Sequence, residues 1–285
     1  MILAKEMKNF HQTAETKYVE AKGIKFAYRS FGNKASVPLI FLQHFTGTMD
    51  NWDPMVTDGI AEEHHVILFN NAGISSSSGK TPGNVDAMAE DALAFIDALS
   101  LKQVDLLGFS LGGFIAQLIV VKKPNLVRKL ILVGTGPEGS SGLDKLPGTL
   151  SIAVQKKPGD GLLYMFFKDT ESSIKRGREF LNRIMQRTIG RDPDTTNEAI
   201  GEQMKAIVSW GEPVNRSYAD LKAITHPVLV VNGSNDIVVP TKNSYTIFEQ
   251  LANARLSLYP DSGHGALFQY AGLFINEVNY FLREQ

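Results

Sequence analysis

The 285-residue chain contains no cysteine. That absence excludes a disulfide scaffold, a thiolate-bound zinc or iron–sulfur site, and a thiol nucleophile. An excess of charge of one sign is missing too, since 29 Lys+Arg stand against 30 Asp+Glu for a net charge of −1. A near-neutral chain has no electrostatic footprint for nucleic acid or for an anionic membrane. Nowhere does an uncharged stretch approach the roughly 18 apolar residues that a membrane-spanning helix requires. Charges also interrupt Met1–Lys8 before a signal-peptide core can form. Together these gaps predict a cytoplasmic protein with neither nucleic acid nor membrane as partner, and they leave a homo-oligomer open. What is present is the composition of a folded globular protein, 43% hydrophobic and 21% charged. The length suits one large domain carrying an insertion.

Short apolar runs alternate with helix-like segments in the first half. Residues 18–31 read as a hairpin turning at Lys22–Gly23, and Val37–Gln43 and Val66–Phe69 as strands buried on both faces. Val85–Leu99 places Met88, Ala89, Ala92, Leu93, Phe95 and Ile96 at helical spacing. A strand at Val104–Phe109, a helix at Leu111–Lys123 and a strand at Leu130–Val133 follow. This rhythm predicts a mostly parallel sheet with right-handed crossovers and helices on both faces. It stops after Gly134: residues 136–149 read as loop, and Ser151–Trp210 as helical without a strand. Strands return at Pro227–Asn232 and Leu256–Tyr259, with helices at Thr241–Leu251 and at the carboxyl end. The expected organisation is a core of residues 1–136 and 221–285 with a helical cap, 137–220, over the edge of the sheet where such folds bind ligands.

Gly108-Phe109-Ser110-Leu111-Gly112 directly follows an apolar strand and opens a helix. A sharp strand–turn–helix bend of this kind projects the serine from a strained backbone above a helix amino terminus. A serine hydroxyl needs a base to become a nucleophile, and a histidine is the usual one. His11 sits in a terminus expected to fray, while His64, His65 and His226 precede strands and so lie at the opposite edge. His264, in Ser262-Gly263-His264-Gly265 after the last strand, is at the same edge as Ser110, in a loop that its glycines are expected to make mobile. Asp236, following the strand that ends near Asn232, is the favoured acid to orient that imidazole, with Glu138 as competitor.

The order Ser110, Asp236, His264, the bend at Ser110 and the cap before Asp236 resemble the α/β-hydrolase superfamily, in its lidded serine hydrolase branch of esterases and non-haem haloperoxidase-like enzymes. The resemblance runs from about Tyr18 to Phe281. It implies an eight-stranded α/β-hydrolase fold with a cap inserted after strand 6. In that family a His-Gly-Phe-Pro-Gly-like loop begins nine residues before a Trp; before Trp52 the matching segment is Gln43-His44-Phe45-Thr46-Gly47. The resemblance therefore assigns the two oxyanion-binding amides to Phe45 and Leu111. Two departures stand out. Gln43-His44 replaces His-Gly, which leaves His44 as a support for the loop or a pocket residue. Asn70-Asn71-Ala72-Gly73-Ile74-Ser75 lacks the arginine of the family's Asp-x-Arg-Gly-x-Gly segment.

Apolar residues of the cap, Tyr164, Met165, Phe166 and Phe167 with Met204, Ile207 and Trp210, are candidates for an apolar lid, and Trp52 joins them as a pocket candidate. The basic residues between Lys168 and Arg187 read as a solvated helix face. The resulting expectation is a serine hydrolase that cleaves an ester or related acyl bond of a small, largely apolar molecule, with no metal and no cofactor. A lactonase, a carbon–carbon bond hydrolase, a cofactor-free perhydrolase and a hydrolase-like receptor for a small ligand are the alternatives. Ser110, where an aspartate would be needed, argues against dehalogenase or epoxide hydrolase chemistry.

Overall fold

Along each central strand, alternate residues feed two different cores. In β3 (Pro38–Leu42), Ile40 and Leu42 face one apolar cluster and Leu39 and Phe41 the other. The same split divides Leu106 from Leu107 and Phe109 in β5 (Val104–Phe109), and Leu132 from Ile131 and Val133 in β6 (Val127–Val133). A strand buried on both faces must be apolar throughout, which explains the unbroken runs in the sequence. The computed structural model describes residues 9–214 and 217–284. Met1–Lys8, whose charges interrupt a signal-peptide core, lies outside them.

The remaining strands are β1 (Lys17–Ala21), β2 (Ile24–Gly32), β4 (His65–Phe69), β7 (Val228–Gly233) and β8 (Ala254–Tyr259), giving an eight-stranded sheet in the order β1-β2-β4-β3-β5-β6-β7-β8. The pairs β1–β2 and β2–β4 are antiparallel, and every pair from β4 to β8 is parallel. Lys22 and Gly23, at φ of 51° and 73°, make the tight turn of the expected hairpin.

Among the described residues, twelve α-helices surround the sheet: α1 (Phe10–Thr13), α2 (Pro54–Ala61), α3 (Val85–Ala98), α4 (Leu111–Lys122), α5 (Leu146–Val154), α6 (Asp160–Phe166), α7 (Glu171–Ile184), α8 (Asn197–Trp210), α9 (Ala219–Ala223), α10 (Lys242–Gln250), α11 (Ala266–Gln269) and α12 (Ala271–Arg283). Helices α3, α4 and α10 cover one face; α2, α11 and α12 cover the other. Among the described residues, only helices and loops lie between β6 and β7. Helix begins at Leu146, inside the stretch read as loop. Pro147, in the first turn, needs no amide hydrogen there, so the Pro-Gly pair is compatible with the start of a helix. No helix of the described residues is long and apolar enough to cross a membrane.

Two other expectations fail for one reason, that buried charge binds the helical insertion to the core. His11 is buried: its amide donates to Asp58 Oδ1 at 2.8 Å, and burial pulls its pKa down to about 3. Nor is the carboxyl end of α7 a solvated face. Arg183 forks onto Asp53 at 2.8 and 2.6 Å, and Arg187 donates to the carbonyls of His11, Gln12 and Ala14. Beside it the fully buried Arg29 grips Asp50, whose other oxygen accepts the Asp192 amide at 2.6 Å. Burial, the largest single effect, would raise the Asp50 pKa; the hydrogen bond and charge of Arg29, with the Asp192 amide and His11, together outweigh it and hold the carboxyl below its ordinary range.

Asp58 has no such cation, and burial lifts its pKa from 3.8 to about 7. Well below pH 3.8 both folded and unfolded chains carry it protonated, so it costs nothing. As pH rises towards 7 the unfolded chain ionises first, and stability is lost across that window. Asp58→Asn keeps the oxygen that accepts from His11, so it should gain stability relative to the native chain between pH 4 and 7, by about 3 kcal/mol in urea unfolding. A pH-independent difference would rule this out.

Candidate active site

The bend at Ser110 is built by close backbone approach. A side chain on Gly108 would run into the Gly112 carbonyl, and one on Gly112 into the carbonyl of Leu42 at the end of β3. Glycine at these positions is therefore a packing requirement, which is why the five-residue pattern marks the turn. Ser110 itself sits at φ 57°, ψ −118°, a strained conformation for a residue with a side chain. Its amide donates to Val133 at 2.9 Å, and its carbonyl accepts from Thr135 Oγ1 at 2.9 Å, so the end of β6 and the residues after it hold the strain in place. Among the described residues Ser110 Oγ has no hydrogen-bond partner.

The other predicted groups reach the same edge from the ends of β3, β7 and β8. Asp236 Oδ1 accepts from the amides of Val238 and Val239 at 2.8 and 3.0 Å, which leaves Oδ2 to the imidazole of His264, 2.7 Å from its Nδ1. Both residues are buried. The competitor Glu138 is exposed and lines a separate depression with Gln117, Trp210 and Asp220. The glycines around His264 serve approach, not mobility. Side chains at Gly263 and Gly265 would strike Phe166, and the Gly265 amide donates to the Phe166 carbonyl at 2.7 Å.

The loop after β3 is held by its two unusual residues. Gln43 Nε2 donates to the Thr48 carbonyl at 2.6 Å, and its Oε1 accepts the His44 amide at 2.9 Å. His44 Nδ1 donates to the Phe45 carbonyl at 2.7 Å. Among the described residues the amides of Phe45 and Leu111 make no hydrogen bond. Thr46 is tied to the insertion at both ends, its amide to Gln203 Oε1 and its carbonyl to Thr195 Oγ1, each at 2.7 Å. The arginine-free segment is anchored by Asn70, whose Oδ1 accepts the Met49 amide at 2.8 Å.

Ser110, His264, His44 and Phe45 line one small cavity of about 60 Å³. Leu146 and Leu150 of α5, Leu162, Met165 and Phe166 of α6, and Ile207 of α8 roof it, with Val238 and Val239 beside them. Five of the lid and pocket candidates lie elsewhere, two of them, Tyr164 and Phe167, lining a separate depression with Asn235 and Ile237. Trp52 is buried below the site, edge-on to Phe41 at 5.0 Å. Trp210 stacks on Phe114 at 5.2 Å and donates to the Gly136 carbonyl. Met204 packs into the core cluster one turn from Ile207. Helical spacing placed 204, 207 and 210 near one face, but only a packed partner decides which of them meets the cavity. Leu146 and Leu150 were missed; their i, i+4 spacing was the available signal.

With this geometry in view, the chain belongs to the α/β-hydrolase fold family, whose model matches residues 37–270. That membership makes it an enzyme of the hydrolase kind. It is similar to an α/β-hydrolase fold protein from Chitinophaga pinensis, with 46% identity, coverage of 97% of this chain and 100% of that one, and a TM-score of 0.94. A 2-hydroxymuconate semialdehyde hydrolase from Pseudomonas sp. (strain CF600) is 27% identical over 82% of this chain and 81% of its own length. A non-heme chloroperoxidase from Burkholderia pyrrocinia is 26% identical over 88% and 93%.

The close approach at the bend is testable. Gly112→Ala must push α4 away from β3, and should cost about 3 kcal/mol or more in chemical unfolding; a change below about 0.5 kcal/mol would contradict the packing argument.

Proposed function

We propose that the protein is a serine hydrolase that cleaves the ester or related acyl bond of a small, largely apolar molecule through an acyl-enzyme on Ser110. The observation that carries this reading is the convergence of an unpartnered, strained serine, the histidine of the His264–Asp236 pair and the loop residue Phe45 on one small cavity. His264 Nε2 takes the Ser110 proton as Oγ adds to the carbonyl carbon, and the negative oxygen lies against the amides of Phe45 and Leu111. Collapse expels the leaving alcohol, which receives that proton from His264. Water then adds to the acyl-enzyme, giving its proton to His264, and the second collapse returns the proton to Ser110 and releases the acid. Asp236 fixes the imidazole with Nδ1 protonated and stabilises the cation formed in each half. The segment 137–220 acts as the lid, because its leucines and Phe166 exclude water from the acyl group.

A second reading has a specific support: the similarity to the chloroperoxidase favours hydrogen peroxide in place of water as acyl acceptor. Acetate-dependent peroxide chemistry, assayed by bromination, separates the two.

A fluorophosphonate probe should label the native protein on the peptide containing Ser110 and fail to label Ser110→Ala, whose thermal melt should stay close to native. Labelling of the variant would exclude the nucleophile. Asp236→Asn should lower p-nitrophenyl acetate turnover by about 10⁴, because the wrong tautomer is then favoured, and Glu138→Gln should change it less than threefold. The reverse pattern would move the acid to Glu138.

A further inference from the structure

Ser110 and His264 are not the only reactive-type groups on the cavity wall. His44 lines it too, packed edge-on against Phe109 at 5.2 Å and Phe166 at 5.3 Å, the same two rings that contact His264. Its Nδ1 lies 2.7 Å from the Phe45 carbonyl, and a carbonyl can only accept. The proton therefore resides on Nδ1, and Nε2 carries a lone pair. Burial, together with the nearby His264, keeps this ring neutral, with a pKa pulled down to about 4. Nε2 is fully buried, and among the described residues it has no hydrogen-bond partner. None of the other cavity-lining residues has a buried side-chain nitrogen or oxygen in that condition. The two phenylalanine rings and the Nδ1 bond hold the imidazole, so the acceptor cannot turn away to find a donor.

A buried acceptor fixed on an apolar wall discriminates sharply. A ligand that brings a donor satisfies it, and one that brings a methyl group leaves it desolvated and unpaired. The cavity, about 60 Å³, holds roughly four water-sized groups, which limits the moiety beside the reacting carbonyl to two or three carbons. His44 lines the same small cavity as Ser110 and Phe45, whose amide is assigned to the oxyanion, so in so small a space a group that pairs with Nε2 belongs to the part of the substrate beside the reacting carbonyl. We propose that His44 Nε2 is an acceptor subsite of the acyl pocket, selecting a small acyl group that carries a hydroxyl next to its carbonyl, a glycolyl or lactyl group over acetyl or propionyl. The inference rests on the Ser110 acyl-enzyme reading above.

The test compares kcat/KM for phenyl glycolate against phenyl acetate, and phenyl lactate against phenyl propionate, in native protein, His44→Phe and His44→Gln. Phenylalanine keeps a ring between Phe109 and Phe166 but removes the acceptor. It should lower the hydroxy-to-deoxy ratio about 10- to 100-fold in both pairs. Glutamine returns an acceptor near the Nε2 position and should restore part of that ratio. If His44 only props the oxyanion loop, all four esters fall together and the ratio stays constant, which overturns the proposal. A variant that accumulates acyl-enzyme from every ester also overturns it, by placing the hydrolytic water at Nε2. One arm does not depend on turnover: in Ser110→Ala protein, the His44 Nε2 nitrogen resonance should shift on adding methyl glycolate and not methyl acetate. A shift there without fluorophosphonate labelling of the native chain separates failure of the nucleophile reading from failure of the subsite, and no shift with either ester sinks the subsite alone.

Discussion

The site depends on the contact between the backbones of β3 and α4, where Gly112 lies against the Leu42 carbonyl with no room for a Cβ. That contact brings two loops from neighbouring strands to within reach of one atom. It fixes Ser110 in a conformation that an isolated peptide would leave, and it holds the first turn of α4 beside the loop after β3. The strain is retained because the end of β6 and the residues after it over-determine it, through Val133 on the Ser110 amide and Thr135 on its carbonyl. Relaxing any one of these would rotate the serine, so position and strain are a single property of the packing.

Charge does for the insertion what backbone contact does for the bend. Arg29, Asp50, Asp192 and Arg187 form a dry network in which each cation meets both a carboxylate and backbone carbonyls. Ion pairs buried to this degree contribute little net stability, since desolvation consumes most of the attraction, yet removing one partner leaves an uncompensated charge. Their effect is geometric. They hold residues 187–192 against β2 and α1, and the next segment then reaches the loop after β3 through Thr195 and Gln203. The insertion that roofs the cavity and that loop are thus joined directly.

The exchange of His-Gly for Gln43-His44 shows how a local departure is absorbed. Gln43 spans the loop with its own amide, so the loop keeps its shape although a bulky ring has entered beside it. His44 then fills space with an imidazole whose one edge is used by the Phe45 carbonyl and whose other edge remains an acceptor. The change adds an unpaired acceptor to a cavity that Ser110, His264 and Thr46 share with apolar side chains.

The strands, their alternation, the bend at Ser110 and the positions of Asp236 and His264 at strand ends were legible in the sequence. Each is a local rule, of hydrophobic period or of which residues a tight turn admits, and local rules are written in consecutive residues. The cavity was not legible. Met204, Ile207 and Trp210 share helical spacing, yet one lines the cavity, one packs into the core and one stacks on Phe114. His11 and Arg187 looked like surface residues until partners far along the chain buried them. Glycines 263 and 265 suggested freedom, where Phe166 imposed contact. In every such case the deciding neighbour is remote in sequence. A side chain's exposure and its hydrogen bonds belong to the pair it forms, so only the folded chain could settle them.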